Sequence, residues 1–269
     1  MGQRVSSPTR QVLSVSTFRR ILEQVQTSAH TMQFYFQGEP LLNKDLPEMI
    51  AMAHQSGLYT IVSTNAQALT EEMAERLVTA GLRRVIVSID GFTPESYNAY
   101  RVGGHLPLAL QGLQYLRAAK QRHHSPICIE LQVLRLSTNE SEWRWIRQHY
   151  RDLGATRLVF KTAQLYDYQH GNPLMPTSPK YSRYRKGEDG LYHLHRRSHR
   201  SCYRLWSGCV ITVSGQVLPC CYDKSSKHTF GNILETPLDT IWHSATANTF
   251  RTTVLHHRNN VEICRECYY

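Results

Sequence analysis

Helix and strand patterns alternate along the first 165 residues, and this alternation constrains the fold more than any other feature. The helical stretches are amphipathic: Phe18, Ile21, Leu22 and Val25 recur at the spacing of one helix face after a cap at Ser14 or Ser16. Short β-branched runs separate such helices, at residues 32–36, 59–63, 84–89, 127–134 and 157–161. This order is typical of a parallel sheet covered by helices, either open or closed into a barrel.

Capping signals set the predicted helix starts. Asp45 with Glu48 three residues later predicts a capping box, and Asn139 with Glu142 predicts another helix start. Thr93 followed by Pro94 predicts a helix with proline at its first position.

Four of the predicted strands end in, or are followed by, polar or small residues. They are Gln37-Gly38-Glu39, Ser63-Thr64-Asn65, Ser88 with Asp90, and Lys161. Ligand groups gather at the carboxyl ends of strands in parallel barrels and doubly wound sheets. Any single position is explained equally well as an ordinary turn residue. As a series, the four predict one ligand lying across several strand ends.

Composition excludes some classes of protein. An apolar fraction of 41% suits a packed globular chain, and neither a membrane-length apolar run nor a hydrophobic signal region is present. We therefore expect a soluble, cytoplasmic protein without a membrane partner. The net charge of +10 is concentrated in residues 183–204, where tyrosines are interleaved. This stretch suits a solvated basic linker better than a surface for RNA or an acidic peptide, and no nucleic-acid motif accompanies it.

Six of the seven cysteines lie in the last 68 residues. Cys202 precedes Gly215, four residues separate that glycine from Cys220, and a C-x-x-C pair closes the chain at Cys264 and Cys267. Clustered cysteines in a reducing cytosol more often bind metal than form disulfides. The strand ends and the cysteines together suggest a known family.

The strand-end motifs resemble those of the radical S-adenosylmethionine superfamily. Phe36-Gln37-Gly38-Glu39-Pro40 is similar to its Gly-Glu-Pro motif, which holds the amino group of the methionyl moiety. Ser63-Thr64-Asn65 resembles the segment near the ribose, and Ser88-Ile89-Asp90-Gly91 with Arg101 resembles the next strand end, where an arginine pairs with the carboxylate. The resemblance implies cofactor-binding roles for a set of eight residues: Gly38, Glu39, Pro40, Ser63, Asn65, Ser88, Asp90 and Arg101.

The C-terminal cysteine pattern is similar to the auxiliary-cluster extension called SPASM/Twitch, in its shorter form with one cluster. The resemblance implies a 4Fe–4S cluster held by four thiolates, those of Cys202, Cys220, Cys264 and Cys267. A structural zinc site with four cysteines is the alternative. Cys221 could replace Cys220, but adjacent strand residues point to opposite faces, so we expect only one of them to bind. Cys209 and Cys128 are interpreted as buried small hydrophobes.

The defining C-x3-C-x2-C triplet of the superfamily is absent, since residues 1–127 contain no cysteine. The first barrel strand is absent as well. We expect that the start is misplaced or the gene truncated, so that the chain as written is inactive. The alternatives are a degenerate ligand-binding relative and a separate polypeptide that supplies the missing part. A catalytic 4Fe–4S cluster is not expected from this chain alone.

The expected architecture is a partial parallel (β/α)6 barrel lacking its first strand, followed by a small α+β iron–sulfur domain. The expected division is residues 1–165 for the barrel, 166–200 for a basic linker and 201–269 for the cluster domain. The resemblance implies a radical S-adenosylmethionine oxidoreductase or maturase with a peptide or small-molecule substrate and an electron donor such as ferredoxin or flavodoxin. It implies no catalytic side chain. A non-catalytic, metal-stabilised binding module is the alternative.

Overall fold

The computed structural model describes residues 11–165, 167–195, 202–265 and Cys267. Contacts divide the chain into two compact units: residues 29–193 form the core of the first, and residues 6–28 with 194–269 form the second. None of the described helices is long and apolar enough to span a membrane.

The first unit is built on a five-stranded parallel sheet. Its strands are β1 (Thr31–Gln33), β2 (Tyr59–Thr64), β3 (Arg84–Ser88), β4 (Cys128–Arg135) and β5 (Arg157–Thr162). The strands pair in the order in which they occur along the chain. An order without reversal is that of a barrel wall, whereas a doubly wound sheet reverses at a switch point. The predicted partial barrel is therefore confirmed.

Helices cover one face of this sheet. They are α2 (Leu46–Gln55), α3 (Glu71–Thr79), α4 (Pro94–Tyr100), α5 (Leu106–Arg122) and α6 (Trp143–His149). Val85 and Val87 of β3 and Ile129 and Leu131 of β4 belong to the apolar core of this unit. Side chains alternate between the faces of a strand, so Ser88 lies on the opposite face from these residues.

Of the three caps predicted within the first unit, two are wrong and one is confirmed. Thr93 and Ser96 form a reciprocal capping box at the start of α4. Asp45 precedes α2 but makes no capping hydrogen bond with its side chain. Its backbone N–H instead donates to the Asn43 side chain, 3.0 Å away. Asn139 is buried in a 3-10 turn, Ser137–Glu142, that precedes α6.

The second unit contains helix α1 (Val15–Val25), which the sequence pattern places with the barrel. Ser14 caps α1 through the Thr17 N–H, as predicted. Arg20 donates to the Leu234 carbonyl at 2.8 Å, and Gln24 donates to the Ile233 carbonyl at 3.0 Å. Contacts with the C-terminal residues therefore group α1 with them. The division into barrel, linker and cluster domain stays a prediction.

The remaining elements are short. Residues 166–195 include a two-stranded sheet of β6 (Tyr184–Lys186) and β7 (Tyr192–Leu194). The second unit has α7 (Arg204–Ser207), a three-stranded sheet and three further helices. Its strands are β8 (Val210–Ile211), β9 (Gln216–Leu218) and β10 (Gly231–Asn232), and its helices are α8 (Leu238–Trp242), α9 (Ala245–His257) and α10 (Glu262–Arg265). Strands β8 and β9 pair antiparallel and form a hairpin around Ser214-Gly215.

Gly215 is required by the turn between β8 and β9. Its φ is +82°, and an added Cβ would lie 2.4 Å from Oδ1 of Asn232 and 2.6 Å from Cγ of Leu234. Both backbone strain and close packing therefore select glycine at this point of the cysteine motif.

Replacing Gly215 with alanine is expected to destabilise the second unit by about 2 kcal/mol or more, because it adds φ strain and a clash. Thermal unfolding followed by circular dichroism measures this loss. Gly208→Ala is the matched control, since Gly208 has extended backbone and open space around it. The account of Gly215 is contradicted if both variants melt at the wild-type temperature.

Candidate functional site

Glu39 joins the loop after β1 to the end of β2. Its Oε1 accepts hydrogen bonds from the Thr64 hydroxyl at 2.6 Å and the Leu41 N–H at 3.2 Å, and its Oε2 accepts from the Asn65 N–H at 2.9 Å. The carboxylate has about four acceptor positions, so one remains on Oε2. The Gly-Glu-Pro segment is thereby fixed at the carboxyl edge of the sheet.

The neighbours of Glu39 shape this loop. Gly38 is exposed with φ +77°, and nothing lies within 4 Å of where its Cβ would be, so its conformation rather than its packing favours glycine. Pro40 begins a 3-10 turn, Pro40–Leu42, that Glu39 caps through its side chain. The turn leaves the Gly38–Glu39 backbone at the edge where the sequence predicts ligand contacts.

Three other predicted residues lie at the ends of β2 and β3. Ser63, Asn65 and Ser88 are all half-buried. Asn65 accepts a hydrogen bond from the Gln67 N–H through its side-chain oxygen, at 2.9 Å. Ser88 is paired in register with Gln132 of β4. The structure therefore brings these strand ends together at one edge of the sheet.

Asp90 and Arg101 bind each other. Nη2 of Arg101 lies 2.6 Å from Oδ2 of Asp90, whose side chain is 1% exposed. Oδ1 of Asp90 accepts from the Leu134 N–H at 2.7 Å. The resemblance implies that Arg101 binds the carboxylate of the cofactor. In the structure, the ion-pair partner of Arg101 is a carboxylate of the protein, that of Asp90. Burial raises the pKa of the neighbouring Tyr97, and the charge of Arg101 opposes this shift.

The sequence predicts Asn139 as a helix cap, but in the structure its side chain binds the backbone of Asp90 and of β4. Its side-chain amide donates to the carbonyls of Asp90 and Leu134, both at 2.8 Å. Its side-chain oxygen accepts from the Trp143 indole at 2.7 Å and from the Leu136 N–H at 3.1 Å. A fully bonded buried amide fixes Asp90 relative to β4. The only local signal was an asparagine shortly after a strand.

The sequence also predicts Glu142 as part of a helix start, but in the structure its carboxylate binds the loop that leads into α4. Its carboxylate accepts from the Ser96 hydroxyl at 2.6 Å and from the Phe92 N–H at 2.9 Å. An added Cβ on Gly91 would lie 2.4 Å from the Tyr97 nitrogen. The loop from Asp90 into α4 is therefore tightly packed as well as hydrogen-bonded.

The four cysteines of the predicted cage influence one another electrostatically. Burial raises the pKa of Cys264 to about 12, and the thiols of Cys220, Cys267 and Cys202 add to this rise. Burial also raises the pKa of Cys220 to about 12, with further contributions from Cys221 and then Cys267. Cys264 thus lies within electrostatic reach of the other three, and these four cysteines are named the thiol cluster.

The other cysteines differ from these four. Burial raises the pKa of Cys209 to about 11, and the charge that opposes this rise belongs to Arg251. Cys221 is exposed, and Nη1 of Arg204 donates to its sulfur at 3.9 Å. Cys128 accepts a hydrogen bond from the Thr156 hydroxyl at 3.8 Å in the first unit.

The residue type of the thiol cluster suits an iron–sulfur cluster, since thiolates are the ligands of such clusters. In the part of the chain that the structure describes, no three acidic, histidine or cysteine side chains converge as ligands of a single metal ion. No residue set fits a second, catalytic cluster at the sheet, because residues 1–127 contain no cysteine.

Comparisons with known proteins assign families to two stretches of the chain. Residues 4–140 match the model of the Radical SAM superfamily, and residues 202–268 match the SPASM iron–sulfur cluster-binding domain. The chain is 26% identical to the PqqA peptide cyclase of Granulibacter bethesdensis over 87% of this chain and 67% of that protein. It is 27% identical to the AdoMet-dependent heme synthase of Nitratidesulfovibrio vulgaris over 76% of this chain and 63% of that protein. The chain thus spans about two thirds of these relatives.

Solved structures share the fold. Native anSMEcpe with bound AdoMet and Kp18Cys peptide superposes with a TM-score of 0.65 at 14% identity, over 97% of this chain and 82% of that one. BtrN in complex with AdoMet and 2-DOIA gives 0.55 at 20% identity, over 96% and 81%. The first of the two family models matches more than half of the chain. The chain therefore belongs to the radical S-adenosylmethionine superfamily and carries a SPASM iron–sulfur cluster-binding domain.

Proposed function

We propose that this chain is part of a radical S-adenosylmethionine maturase that binds S-adenosylmethionine at the strand ends of the first unit and a 4Fe–4S cluster in the second. The bond from Glu39 to the end of β2 carries the first half of this proposal. It fixes the backbone carbonyls of Gly38 and Glu39 at the carboxyl edge of the sheet. Carbonyls and a carboxylate position at that edge suit the ammonium of the methionyl group.

The other strand-end residues have two proposed roles: some contact the ligand, and others hold those residues in place. Ser63, Asn65 and Ser88 are half-buried and offer hydroxyl and amide groups to the ribose and the carboxylate. Asp90 orients Arg101 through their ion pair, and Asn139 fixes Asp90. Arg101 can then reach a ligand only with nitrogens that Asp90 leaves available. No reductive step is assigned to any residue, because residues 1–127 hold no cysteine for a cluster.

The second half of the proposal rests on the thiol cluster. Cys202, Cys220, Cys264 and Cys267 would supply all four protein ligands of a 4Fe–4S cluster, whose chemistry is electron transfer. Deprotonation of these buried thiols would accompany binding of the cluster. Cys209 and Cys221 would take no part in the cage.

A peptide is the substrate that we propose. One relative is named as a cyclase of the PqqA peptide, and one similar structure holds a peptide together with AdoMet. An electron donor such as ferredoxin or flavodoxin would act with the chain in the cytoplasm, where thiols remain reduced.

Anaerobic reconstitution is expected to load about four irons and four sulfides per chain. Cys264→Ala should lose most of this iron, since it removes a ligand of the cage. Cys221→Ala and Cys209→Ala are the matched controls and should retain it. Iron, sulfide and zinc are measured in the same samples. One zinc per chain without sulfide would overturn the cluster in favour of a metal-stabilised binding module.

Glu39→Gln is expected to weaken binding of S-adenosylmethionine about tenfold. Thr64 and Asn65 donate to different oxygens of Glu39, and a glutamine keeps only one of these oxygens, since its amide nitrogen cannot accept. Isothermal titration calorimetry measures the affinity, and hydrogen exchange of the Asn65 N–H should accelerate by a similar factor. Glu48→Gln removes the same charge from an exposed position of α2 and serves as the control. Equal affinity and equal exchange in the two variants would contradict the role of Glu39.

A further inference from the structure

Arg135 lies among aromatic rings on the helix-covered face of the first unit's sheet. It is the last residue of β4, and its guanidinium carbon lies 4.5 Å from the ring centroid of Tyr181, 5.2 Å from that of Phe160 and 5.5 Å from that of Trp143. Side chains alternate along a strand, so Arg135 shares a face with Val133 of the apolar core. The three rings hold the guanidinium by cation–π contacts.

Two further cations adjoin these rings. The guanidinium carbon of Arg147 lies 5.2 Å from the centroid of Phe160, the ring that Arg135 also contacts, and the Nζ of Lys180 lies 5.7 Å from the centroid of Tyr181. Arg147 and Lys180 are exposed, whereas Arg135 is half-buried. We name these three cations and three rings the basic-aromatic cluster: Arg135, Arg147, Lys180, Trp143, Phe160 and Tyr181.

The cations of this cluster have no carboxylate partner in the described part of the chain. None of Arg135, Arg147 and Lys180 makes a side-chain hydrogen bond or an ion pair with another described residue. The Nε of Arg135 is buried and donates to none of these residues, although buried donors are nearly always bonded. Burial lowers the pKa of Arg135, and the charge of Arg147 lowers it further. Arginine stays protonated at neutral pH, so two like charges lie close together here.

A carboxylate suits this cluster in both charge and geometry. It binds a guanidinium through two parallel hydrogen bonds, and its charge offsets the repulsion between two neighbouring arginines. The position of the cluster suits a substrate as well. Leu134, directly before Arg135, donates its N–H to Asp90 at the carboxyl edge of the sheet, at 2.7 Å. A peptide bound at the cluster would therefore lie beside the strand ends to which the proposed function assigns the cofactor.

We propose that the basic-aromatic cluster binds an acidic side chain of the peptide substrate, with Arg135 and Arg147 as the charged contacts. This inference rests on the proposed function, since a peptide is the substrate proposed there. It assigns specificity for aspartate or glutamate in the substrate to residues outside the cofactor-binding set.

The test measures the affinity of the anaerobically reconstituted full chain for a fluorescein-labelled hexaglutamate peptide by fluorescence anisotropy. Hexaglutamine with the same label is the uncharged probe. Arg147→Gln is compared with Arg151→Gln, because both arginines are exposed and each lies over one ring, Arg151 at 5.0 Å from the centroid of Tyr150. The two variants thus remove the same charge, and only one of them removes it from the basic-aromatic cluster.

Arg147→Gln and Arg135→Met are each expected to weaken binding of hexaglutamate about tenfold, because each removes a charged hydrogen-bond donor, whereas Arg151→Gln should match the wild type. Arg135→Lys keeps the charge and loses the paired donors, so its affinity should lie between those of Arg135→Met and the wild type. Thermal unfolding identifies a variant that does not fold. If the Arg135 variants do not fold, the exposed pair Arg147→Gln and Arg151→Gln carries the test.

Equal affinities of Arg147→Gln and Arg151→Gln for hexaglutamate would overturn the inference, since they indicate attraction by the net charge alone. It is also overturned if hexaglutamine binds as tightly as hexaglutamate. Inorganic phosphate that displaces the peptide better than chloride at equal ionic strength would assign the cluster to phosphate instead. Failure of the proposed function is distinguishable, because in that case the wild-type chain binds neither S-adenosylmethionine nor an iron–sulfur cluster, whatever its affinity for hexaglutamate.

Discussion

The burial of Cys264 and Cys220 beside other cysteines is the constraint on which the second unit depends. Cys264 and Cys220 are removed from water, and each lies within electrostatic reach of other cysteines of the group. Thiolates in such a place repel each other, whereas a cluster with positive irons replaces the protons and joins the sulfurs. The surrounding elements are short, and the apolar cluster around Cys264 contains only Leu205, Val254 and Val261 as other buried members. Small cores of this kind are commonly stabilised by a metal.

In the first unit, hydrogen bonds to buried and half-buried polar side chains hold the strand ends together. Carboxylates of Glu39, Asp90 and Glu142 each bridge segments that are distant in the chain. Asn139 adds a buried amide with four hydrogen bonds between β4 and the loop after β3. Such fully bonded polar networks are rigid, and they hold the half-buried Ser63, Asn65 and Ser88 at one edge. The protein's own hydrogen bonds therefore hold these loops.

Sequence patterns predicted the repeating part of the fold and the residue types of the site. These features are visible in short stretches of the sequence. Periodicity predicts the order of strands and helices, and residue type and spacing predict the caps at Ser14 and Thr93 and the cysteine motif. Partners distant in the chain are not detectable in this way. The pairing of Arg101 with Asp90, the burial of Asn139 and the grouping of α1 with the C-terminal residues all depend on contacts that form only in the folded chain.

X-ray absorption spectroscopy of the anaerobically purified chain tests the central claim most directly, because it identifies the metal and its neighbours. The account predicts an iron edge with a sulfur shell and a second shell of iron at short distance, as in a cluster held by thiolates. A zinc edge with four sulfur neighbours and no metal–metal shell would contradict it and would assign the four cysteines to a structural zinc site.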